Sequence, residues 1–358
     1  MSMSGCVFVL AGGTGGHVYP ALALATALRE RGYAPRWVGT RRGLEARVVP
    51  EAGLPLHTLP MRGLRGKGLI DQLVALVLLA VSFVLAALLV LRYRPRLVVG
   101  LGGYASVPAA LAARFLGRPL LLQEQNAVAG SANRALARFA RCVTTGFPGV
   151  LAAHRDARYL GNPVREDLVS VASDHPVTWD GTRPLQVLVL GGSLGAKALN
   201  DAVPAVAERL GAACVWRHQC GVQHATPVQN AYESIPSVSC DVLPYVEDMA
   251  EAYAWADLVI CRAGALTVAE LAVTGRPAVL VPLPGAIDDH QTANARFLVE
   301  ARAGLLLPQA QLSGDLEGLL RRLLDKPQEL VAMAAAALAC ARPTATRDIA
   351  DCAEEMMS

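Results

Sequence analysis

The sequence is poor in charged and aromatic side chains. Asp, Glu, Lys and Arg make up only 18% of its 358 residues, and Phe, Trp and Tyr make up 5%, whereas 53% of the residues are hydrophobic. A chain of this composition buries a large core, which argues against global disorder. Its length suggests two domains, because a domain ordinarily has about 100–200 residues.

The cysteines do not form a ligand pattern. There are eight of them, with no C-x-x-C pair and no His/Cys cluster. Several lie in apolar runs, such as Cys261 after Val259 and Ile260, so we expect buried free thiols in a reducing compartment and neither a disulfide framework nor a zinc site. The sequence also opens without a basic leader and a cleavage site, and we therefore expect no signal peptide.

The small net charge of +3 conceals an asymmetry along the chain. Residues 1–163 contain 19 Lys and Arg against 6 Asp and Glu, whereas the remainder contains 14 against 24. A basic half joined to an acidic half points to an anionic surface or ligand on the amino-terminal side. A solvated, arginine-rich surface would give the same counts, so the charge alone leaves both interpretations open.

Two halves of the chain open in the same way. The apolar run 7–11 leads into the glycine-rich segment 12–16 and a helical stretch, and the pattern returns where 187–190 leads into 191–195. Each half continues with alternating apolar strands and helices. This predicts an α/β fold of two Rossmann-like domains, each with a doubly wound parallel sheet.

The boundary between the two domains is predicted at 160–165, where Pro and Gly cluster and the charge changes sign. The expected domains are 1–162 and 163–342. The C-terminal helix, about 343–358, is expected to pack back onto the first domain.

The longest apolar run covers residues 73–91, with Ser82 as its only polar member and arginines after it. This length is typical of a transmembrane segment. However, the strand predicted at 97–99 should pair in the same sheet as 7–10, and one sheet cannot be built across a bilayer. We therefore expect a helix that rests on the membrane surface through an exposed apolar face with a basic rim. A helix buried on all sides is the alternative.

Glycine-rich turns occur at three strand ends, at 12–16, 100–106 and 191–195. Between a strand and a helix, such a turn presents backbone N–H groups and the positive end of the helix dipole to a phosphate. Three of these turns predict two phosphorylated ligands in a cleft where two such domains meet.

The first turn does not match the usual dinucleotide motif. It has the sequence G-G-T-G-G-H rather than G-x-G-x-x-G, and the acidic residue that would hold the ribose of NAD is missing. Arg41 and Arg42 follow the second strand instead and could accept a 2′-phosphate, which keeps an NADP-dependent oxidoreductase as an alternative. A P-loop is excluded, because no G-K-[ST] follows any of these glycines.

A second constellation lies at 261–270. The strand ends at Cys261, and Glu270 falls in the first turns of the next helix, where a carboxylate can accept both hydroxyls of a ribose; an acid favoured by the helix dipole is the other interpretation. Asp288 and Asp289 are adjacent in sequence, so their side chains do not face one point on a helix, and we predict no metal site there.

Eight motifs, in order along essentially the whole chain, resemble the MurG family of peptidoglycan N-acetylglucosaminyltransferases, which have the two-domain GT-B fold. No single motif is specific, but the ordered series is. The motifs are 12–17, 63–68, 102–104, 124–126, 161–165, 191–193, 265–270 and 290–294.

The resemblance implies an enzyme, an inverting hexosyltransferase that moves GlcNAc from UDP-GlcNAc to the 4-hydroxyl of MurNAc in lipid I and so forms lipid II for peptidoglycan synthesis. No cofactor is implied. The expected partners are UDP-GlcNAc, the undecaprenyl diphosphate acceptor and the anionic cytoplasmic surface of the cell membrane, with no nucleic acid. The expected location is therefore peripheral, on the inner membrane, without a transmembrane span.

The resemblance also implies roles for particular residues. Sugar-hydroxyl attack needs a general base; His17 is the first choice, because imidazole ordinarily titrates near neutral pH, and Glu124 is the alternative. UDP-GlcNAc is expected at Thr14, Gly15, Gly16, Asn126, Arg165, Ser193, Val246, Arg262, Ala265, Leu266, Thr267, Val268, Ala269, Glu270, His290 and Gln291. The acceptor is expected at Gly12, Gly13, Gly102, Gly103, Tyr104 and Ser106, and the membrane at Arg65, Lys67, Leu73, Leu76, Leu79 and Phe83.

Three positions depart from the family pattern. Leu194 stands where many relatives have Gln, Ala263 replaces a Ser, and His290 stands where others have Gln. Leu194 removes a polar contact to the diphosphate, whereas none of the three removes a candidate base or the ribose carboxylate. A membrane-bound nucleotide-sugar binding module without activity is the third hypothesis.

Overall fold

The computed structural model describes residues 5–61, 69–192 and 194–358, with the backbone alone at 69–73. The chain divides into two compact units. Met1–Val164 and Thr344–Ser358 form the first unit, and Arg165–Pro343 forms the second. Each unit is a parallel sheet covered by helices, so the predicted α/β fold class is confirmed.

The first unit is built on seven parallel strands. Apolar runs such as Leu97–Gly100 form them, because helices on both faces leave no exposed side for polar residues. The order is β3-β2-β1-β4-β5-β6-β7. The strands are β1 (Cys6–Leu10), β2 (Ala34–Gly39), β3 (Leu56–Thr58), β4 (Leu97–Gly100), β5 (Leu120–Glu124), β6 (Cys142–Thr145) and β7 (Ala157–Tyr159).

The strand order of this sheet reverses between β1 and β4. β1 lies between β2 and β4, with Val7 opposite both Pro35 and Leu97. In open α/β sheets, ligands bind beyond the carboxyl ends of the strands at such a point. The helices that follow these strands are α1 (Gly15–Glu30), α2 (Glu45–Glu51), α3 (Leu69–Tyr93), α4 (Ser106–Phe115) and α5 (Ser131–Ala137).

Helix α3 contains the long apolar run. By length and composition, Val74–Tyr93 is long and apolar enough to cross a membrane, yet few of its residues are buried. The strands before and after it, β3 and β4, belong to the same sheet. Its buried side is narrow and carries small residues, with the Ser82 hydroxyl donating to the Pro60 carbonyl at 3.0 Å. The helix therefore lies against the first unit and presents a broad apolar face outward.

The second unit repeats the architecture with six parallel strands in the order β10-β9-β8-β11-β12-β13. The strands are β8 (Leu185–Leu190), β9 (Cys214–Gln219), β10 (Ser239–Leu243), β11 (Leu258–Cys261), β12 (Ala278–Leu280) and β13 (Gly304–Leu306). The helices are α6 (Glu166–Val169), α7 (Val171–Asp174), α8 (Lys197–Leu210), α9 (Ala225–Glu233), α10 (Met249–Trp255), α11 (Ala265–Thr274), α12 (His290–Glu300), α13 (Leu312–Asp325) and α14 (Pro327–Cys340).

The C-terminal helix α15 (Ala345–Met357) belongs to the first unit. Ile349, Ala353 and Met356 join the core cluster formed by β1, β4 and α1. Arg31 at the end of α1 holds its outer face through ion pairs of 2.6 Å to Asp351 and 2.8 Å to Glu354.

The cysteines are free thiols, five of them buried. The Cys142 and Cys352 sulfurs lie 3.3 Å apart within the first unit, joining β6 to α15 by a hydrogen bond.

Candidate functional site

In the first unit, three loops gather at the carboxyl edge of the sheet. They follow the neighbouring strands β1, β4 and β5 and lead into α1, α4 and α5. The first loop is exposed at Gly13, Thr14 and Gly16, and α1 begins at Gly15 with Thr14 as its N-cap. The first amides of a helix have no acceptor within the helix, so this edge offers N–H groups to an anion.

The first and second loops touch closely at two glycines. Gly103 has φ +82°, a conformation that favours glycine, and a Cβ there would lie 2.6 Å from the Gly12 carbonyl oxygen. The Ser106 hydroxyl is buried and donates to the Gly103 carbonyl at 2.7 Å. Ser106 therefore closes the turn that begins α4, whereas Tyr104 is exposed beside it.

The buried carboxylate of Glu45 holds the first loop in place. It accepts hydrogen bonds from the N–H of Gly13 at 3.1 Å and from the N–H and hydroxyl of Thr40 at 2.9 and 2.8 Å. Sequence reasoning missed Glu45, because it lies in a short helix outside every motif. The signal was the glycines around it: a Cβ at Gly12 would lie 2.6 Å from its Oε1, and one at Gly39 would lie 2.8 Å from its Cγ.

His17 lies on the first turn of α1 and faces the second and third loops. Its Nδ1 lies 3.3 Å from the side-chain oxygen of Gln125. An amide oxygen only accepts, so the imidazole donates from Nδ1 and keeps the lone pair on Nε2. A Cβ at Gly102 would lie 3.1 Å from His17 Cε1, so this glycine makes room for the ring.

Glu124, the alternative base, is buried and fully engaged. Oε1 accepts from the N–H of Asn126 at 2.9 Å, and Oε2 accepts from the N–H of Gly130 at 3.0 Å and from Asn133 Nδ2 at 2.9 Å. The carboxylate thus ties β5 to the loop 125–130 and to α5. It therefore holds Asn126 in place, and its role as the alternative base stays a prediction.

In the second unit, the loop after β8 packs tightly against the backbone of Cys220. Gly195 has φ +77° and packs directly against the Cys220 carbonyl, so no larger residue fits there. Gln219 donates to the Gly192 carbonyl at 3.0 Å and holds the other side of the loop. Ser193, predicted to contact the diphosphate, lies outside the described residues, and Leu194 is 84% exposed.

The amino terminus of α11 lies at the carboxyl end of β11. Gly264 is its N-cap, and Ala265, Leu266 and Thr267 form its first turn, so the positive end of the helix dipole faces the same edge of the sheet. Val268 is buried, Ala269 is half-buried, and Val246 is buried in the segment after β10.

Glu270 is the most perturbed carboxyl group near this edge. The Tyr253 hydroxyl donates to its Oε2 at 2.9 Å. Burial raises the pKa of Glu270 to about 7, although the Tyr253 hydrogen bond and the charge of Arg165 lower it in part. Oε1 of Glu270 makes no hydrogen bond within the described part of the chain, and such an oxygen can accept hydrogen bonds from the hydroxyls of a bound sugar.

The two predicted phosphate-binding arginines of this unit are engaged elsewhere. Arg165 pairs with Asp167, donating from Nε at 3.0 Å. Arg262 donates to the carbonyls of Val281 at 3.1 Å and Pro282 at 3.3 Å, and to Gln309 Oε1 at 2.7 Å. Burial lowers the pKa of Arg262. Arg262 therefore joins β11 to the segment after β12, and its contact with the diphosphate stays a prediction.

The predicted sugar-binding residues begin α12. Asp288 and Asp289 just before it both have left-handed backbone conformations, with φ of 55° and 49°, which is strained for residues other than glycine. Gln291 accepts from the Leu283 N–H at 2.9 Å, and His290 donates from Nδ1 to the Ile287 carbonyl at 2.8 Å. Both predicted contacts thus hold the loop 283–290 in its present shape.

The membrane-contact residues predicted on α3 fall on different faces. Leu76 is 58% exposed, but Leu79 and Phe83 are half-buried, and Phe83 packs edge-to-face on Phe115 at 5.9 Å between ring centroids. These two side chains are partly used in packing, and their contact with the membrane stays a prediction. Arg65 and Lys67 lie outside the described residues, as does the side chain of Leu73. Besides Leu76, the exposed large apolar residues described on this helix are Val74, Val77, Val81, Val84, Leu85, Leu88 and Leu91.

Within the part of the chain that the structure describes, no three His, Cys, Asp or Glu side chains are grouped to hold a metal ion. His218, the most buried histidine, contacts Tyr232 and Asn200, and burial lowers its pKa to about 4. It is a core residue of the second unit.

Two family models match most of the chain. The glycosyltransferase family 28 N-terminal domain matches residues 7–145, and the glycosyltransferase family 28 C-terminal domain matches residues 186–355. In both units, the loops described above at the carboxyl edge of the sheet fall inside these matches.

Curated relatives match over nearly their full length. A protein of Alkalilimnicola ehrlichii named UDP-N-acetylglucosamine–N-acetylmuramyl-(pentapeptide) pyrophosphoryl-undecaprenol N-acetylglucosamine transferase is 52% identical over 353 residues, which is 98% of each chain. A protein of the same name from Pseudomonas aeruginosa is 49% identical over 358 residues, which is 99% of each chain.

Among solved structures, the crystal structure of Acinetobacter baumannii MurG superposes with a TM-score of 0.86 at 39% identity, covering 98% of this chain and 99% of the other. The calicheamicin glycosyltransferase CalG4 has a TM-score of 0.70 at 17% identity, covering 100% of this chain and 99% of the other, and shows the likeness of fold alone.

Proposed function

The chain belongs to the MurG family within glycosyltransferase family 28 and is a hexosyltransferase; from this premise we propose how it acts on its substrates. It transfers GlcNAc from UDP-GlcNAc to the 4-hydroxyl of MurNAc in lipid I, with inversion at the anomeric carbon, and forms lipid II. Relatives that carry this activity in their names support the transferase and not the oxidoreductase alternative.

The observation that most directly supports this mechanism is the hydrogen bond between His17 and Gln125. Because the side-chain oxygen of Gln125 accepts a hydrogen bond from Nδ1 of His17, the imidazole presents an unprotonated Nε2 beside the glycine loops. This nitrogen takes the proton of the 4-hydroxyl as its oxygen attacks the anomeric carbon, and the bond to the diphosphate oxygen breaks with its electrons on UDP. Glu124 acts on the same reaction indirectly, by holding Asn126 for the GlcNAc.

UDP-GlcNAc is assigned to the second unit. The free oxygen of Glu270 accepts the ribose hydroxyls, and Val246 contacts the uracil through its backbone. The amides at the start of α11 and the Thr267 hydroxyl meet the diphosphate and stabilise the charge that grows on the departing UDP. His290 and Gln291 hold the loop 283–290 in place, and the sugar packs against this loop.

The acceptor is assigned to the first unit. The amides at Gly15 and Gly16, with the loop at Gly102 and Gly103, hold the diphosphate of lipid I, and Thr14 reaches the incoming sugar. The exposed face of α3 rests on the cytoplasmic surface of the cell membrane, where anionic lipids attract the basic first unit. The same location supplies the lipid-bound acceptor.

Turnover with a lipid I analogue tests this assignment. We expect release of UDP and formation of a β-linked disaccharide, and thermal stabilisation by UDP-GlcNAc but not by NADPH. Stabilisation by NADPH alone would contradict the proposal. Binding of UDP-GlcNAc without turnover would instead favour the binding-module hypothesis.

A further inference from the structure

A groove of about 760 Å³ lies in the first unit beside the glycine loops. One end is polar and is lined by Gly13, Arg41 and Arg42, with the exposed Tyr104 at its side. The other end is apolar and is lined by Met61 and by Leu85 of α3. Gly13 and Tyr104 are predicted above to contact the acceptor, but the proposed function gives no role to Arg41, Arg42 or Met61 of this groove.

The polar end carries uncompensated positive charge. Arg41 and Arg42 are exposed, and within the described chain neither forms an ion pair; Arg41 makes a 3.3 Å hydrogen bond from Nε to the Thr58 hydroxyl. The nearby carboxylate of Glu45 is buried and directed at Gly13 and Thr40. Two adjacent guanidinium groups are suited to the oxygens of a diphosphate.

The position of Glu45 explains why a bound diphosphate would need the two arginines. Glu45 already accepts the N–H of Gly13, so this amide is not available to an anion on that side of the loop. Arg41 and Arg42 provide side-chain donors on this side of the loop.

The apolar end continues onto the outward face of α3. Leu85, 39% exposed, lies one turn from Val81 and Leu88, which are on the same side of the helix and also exposed. A ligand that enters with its anionic end at Arg41 would therefore leave over Leu85 and along an apolar surface. Few ligand classes have a dianionic head joined directly to a long hydrocarbon.

We propose that this groove is the binding site for the isoprenyl diphosphate segment of the acceptor, an assignment that rests on the proposed function. Arg41 and Arg42 bind the diphosphate oxygens on the side away from the glycine amides. The first isoprenyl units pack on Met61 and Leu85, and the remaining chain follows the exposed face of α3 towards the bilayer.

Binding of farnesyl diphosphate to the full chain, without detergent and below micellar concentrations, tests the groove without turnover. Calorimetry should show farnesyl diphosphate binding at least about tenfold more tightly than inorganic pyrophosphate or farnesol, because only it fills both ends. Arg41→Ala/Arg42→Ala should weaken farnesyl diphosphate by about 10- to 100-fold, as expected for lost charge-assisted hydrogen bonds. Leu85→Asn should remove the advantage over pyrophosphate.

A matched control removes two positive charges from the same unit at another place. Arg114 and Arg138 line a separate cavity, and Arg114→Ala/Arg138→Ala should leave farnesyl diphosphate binding unchanged. An equal loss in this control would mean that net charge alone attracts the ligand and would overturn the proposal. Equal affinity for pyrophosphate and farnesyl diphosphate would also overturn it.

A kinetic measurement separates this proposal from the proposed function. With lipid I analogues of increasing prenyl length, KM should fall in the wild type and stay nearly level in Leu85→Asn. If no analogue turns over but farnesyl diphosphate still binds as expected, the transferase assignment fails and the groove stands. If a lipid-free muramyl pentapeptide competes for the arginines instead, the groove binds the peptide and the proposal fails.

Discussion

At the residue scale, the most informative side chains are the ones that position others. Gln125 sets the tautomer of His17, Glu124 holds Asn126, and Glu45 holds Gly13. Each of these three supporting side chains is buried and contacts a neighbouring loop or helix. Such residues have no pattern of their own, which is why the sequence predicts the glycine-rich loops but not the side chains that hold them.

The base assignment can be tested with two substitutions. His17→Ala should lower kcat by roughly 10²–10⁴-fold with UDP-GlcNAc affinity retained. Gln125→Leu should lower kcat less, because His17 remains but its tautomer is no longer fixed. Gln125→Glu should retain activity and move the acid limb of the kcat–pH profile to higher pH, because a carboxylate favours the imidazolium.

Gln229→Leu, in an exposed position on α9, is the matched control and should leave the profile in place. An unchanged rate in His17→Ala would move the role of base to another group.

Glu270 predicts a pH dependence of UDP-GlcNAc binding. Its pKa is raised to about 7 by burial, and only the ionised carboxylate accepts both ribose hydroxyls. Affinity should therefore increase as the pH rises through about 7, and Glu270→Gln should weaken binding and remove the pH dependence. Isothermal titration between about pH 6 and pH 8 measures this; Glu300→Gln, exposed on α12, should behave as the wild type.

The same group affects stability with the opposite sign. Since the folded pKa lies above the ordinary glutamate value, the folded state binds more protons between about pH 4.3 and 7. The free energy of unfolding should fall as the pH rises through this range, and less so in Glu270→Gln. A pH-independent affinity in the wild type would contradict the ribose assignment.

At the element scale, loops and helices depend on contacts that hydropathy does not reveal. The pattern of apolar runs predicts the strands well, because continuous burial requires continuous apolar residues. It does not predict which side of α3 is exposed, because almost every residue of that helix is apolar and no periodicity remains. Only packing against α4 decides that Phe83 faces inward and Val84 outward.

The loop after β1 should depend on Glu45. Glu45→Ala leaves the Gly13 and Thr40 amides without an acceptor and opens a cavity among three glycines, so it should lower the free energy of unfolding by about 1–3 kcal/mol. It should also raise KM for the acceptor, while KM for UDP-GlcNAc stays level. Denaturant titration and steady-state kinetics measure the two effects.

Glu51→Ala provides the control for Glu45→Ala, because Glu51 is an exposed glutamate at the other end of α2. An unchanged acceptor KM in Glu45→Ala would mean that the loop keeps its shape without the carboxylate.

The exposed face of α3 should be needed for membrane association. Val84→Glu/Leu88→Glu places two charges on side chains that are each 57% exposed, so the fold is retained while burial in lipid becomes costly. Co-sedimentation with vesicles of anionic lipid should show release of the protein. Val331→Glu/Leu338→Glu, at exposed apolar positions of α14 in the second unit, should not reduce binding.

If Val84→Glu/Leu88→Glu remains bound to these vesicles, the basic surface of the first unit is sufficient for association. Loss of binding in the α14 control to the same degree would point to a general effect of added negative charge.

At the scale of the whole molecule, composition and repetition predict two similar α/β units. The charge counts also predict a division of labour, with a basic first unit for an anionic lipid and an acidic second unit. The C-terminal helix is predicted to return to the first unit, but the sequence leaves open that it pairs with α1, because this pairing depends on surface shape and not on local pattern. Arg31 and Asp351 are 320 residues apart and directly paired.

The C-terminal helix should stabilise the first unit measurably. Ile349 is fully buried among residues of β1, β4 and α1, so Ile349→Ala should lower the free energy of unfolding of that unit by about 2–5 kcal/mol. Denaturant titration should show the loss. Asp351→Ala, which removes only an exposed ion-pair partner, should cost about 1 kcal/mol or less.

An effect of Ile349→Ala no larger than that of Asp351→Ala would mean that α15 is not part of the stabilising core of the first unit.

The return of α15 to the first unit also constrains biosynthesis. The ribosome makes residues 1–164 first, but Ile349, Ala353 and Met356 of the same core follow only after the whole second unit. The first unit therefore cannot complete its core until α15 has been made, while its apolar α3 has already emerged. During that interval the nascent chain exposes both an unfilled core and a long apolar helix, so chaperone capture would protect it from aggregation.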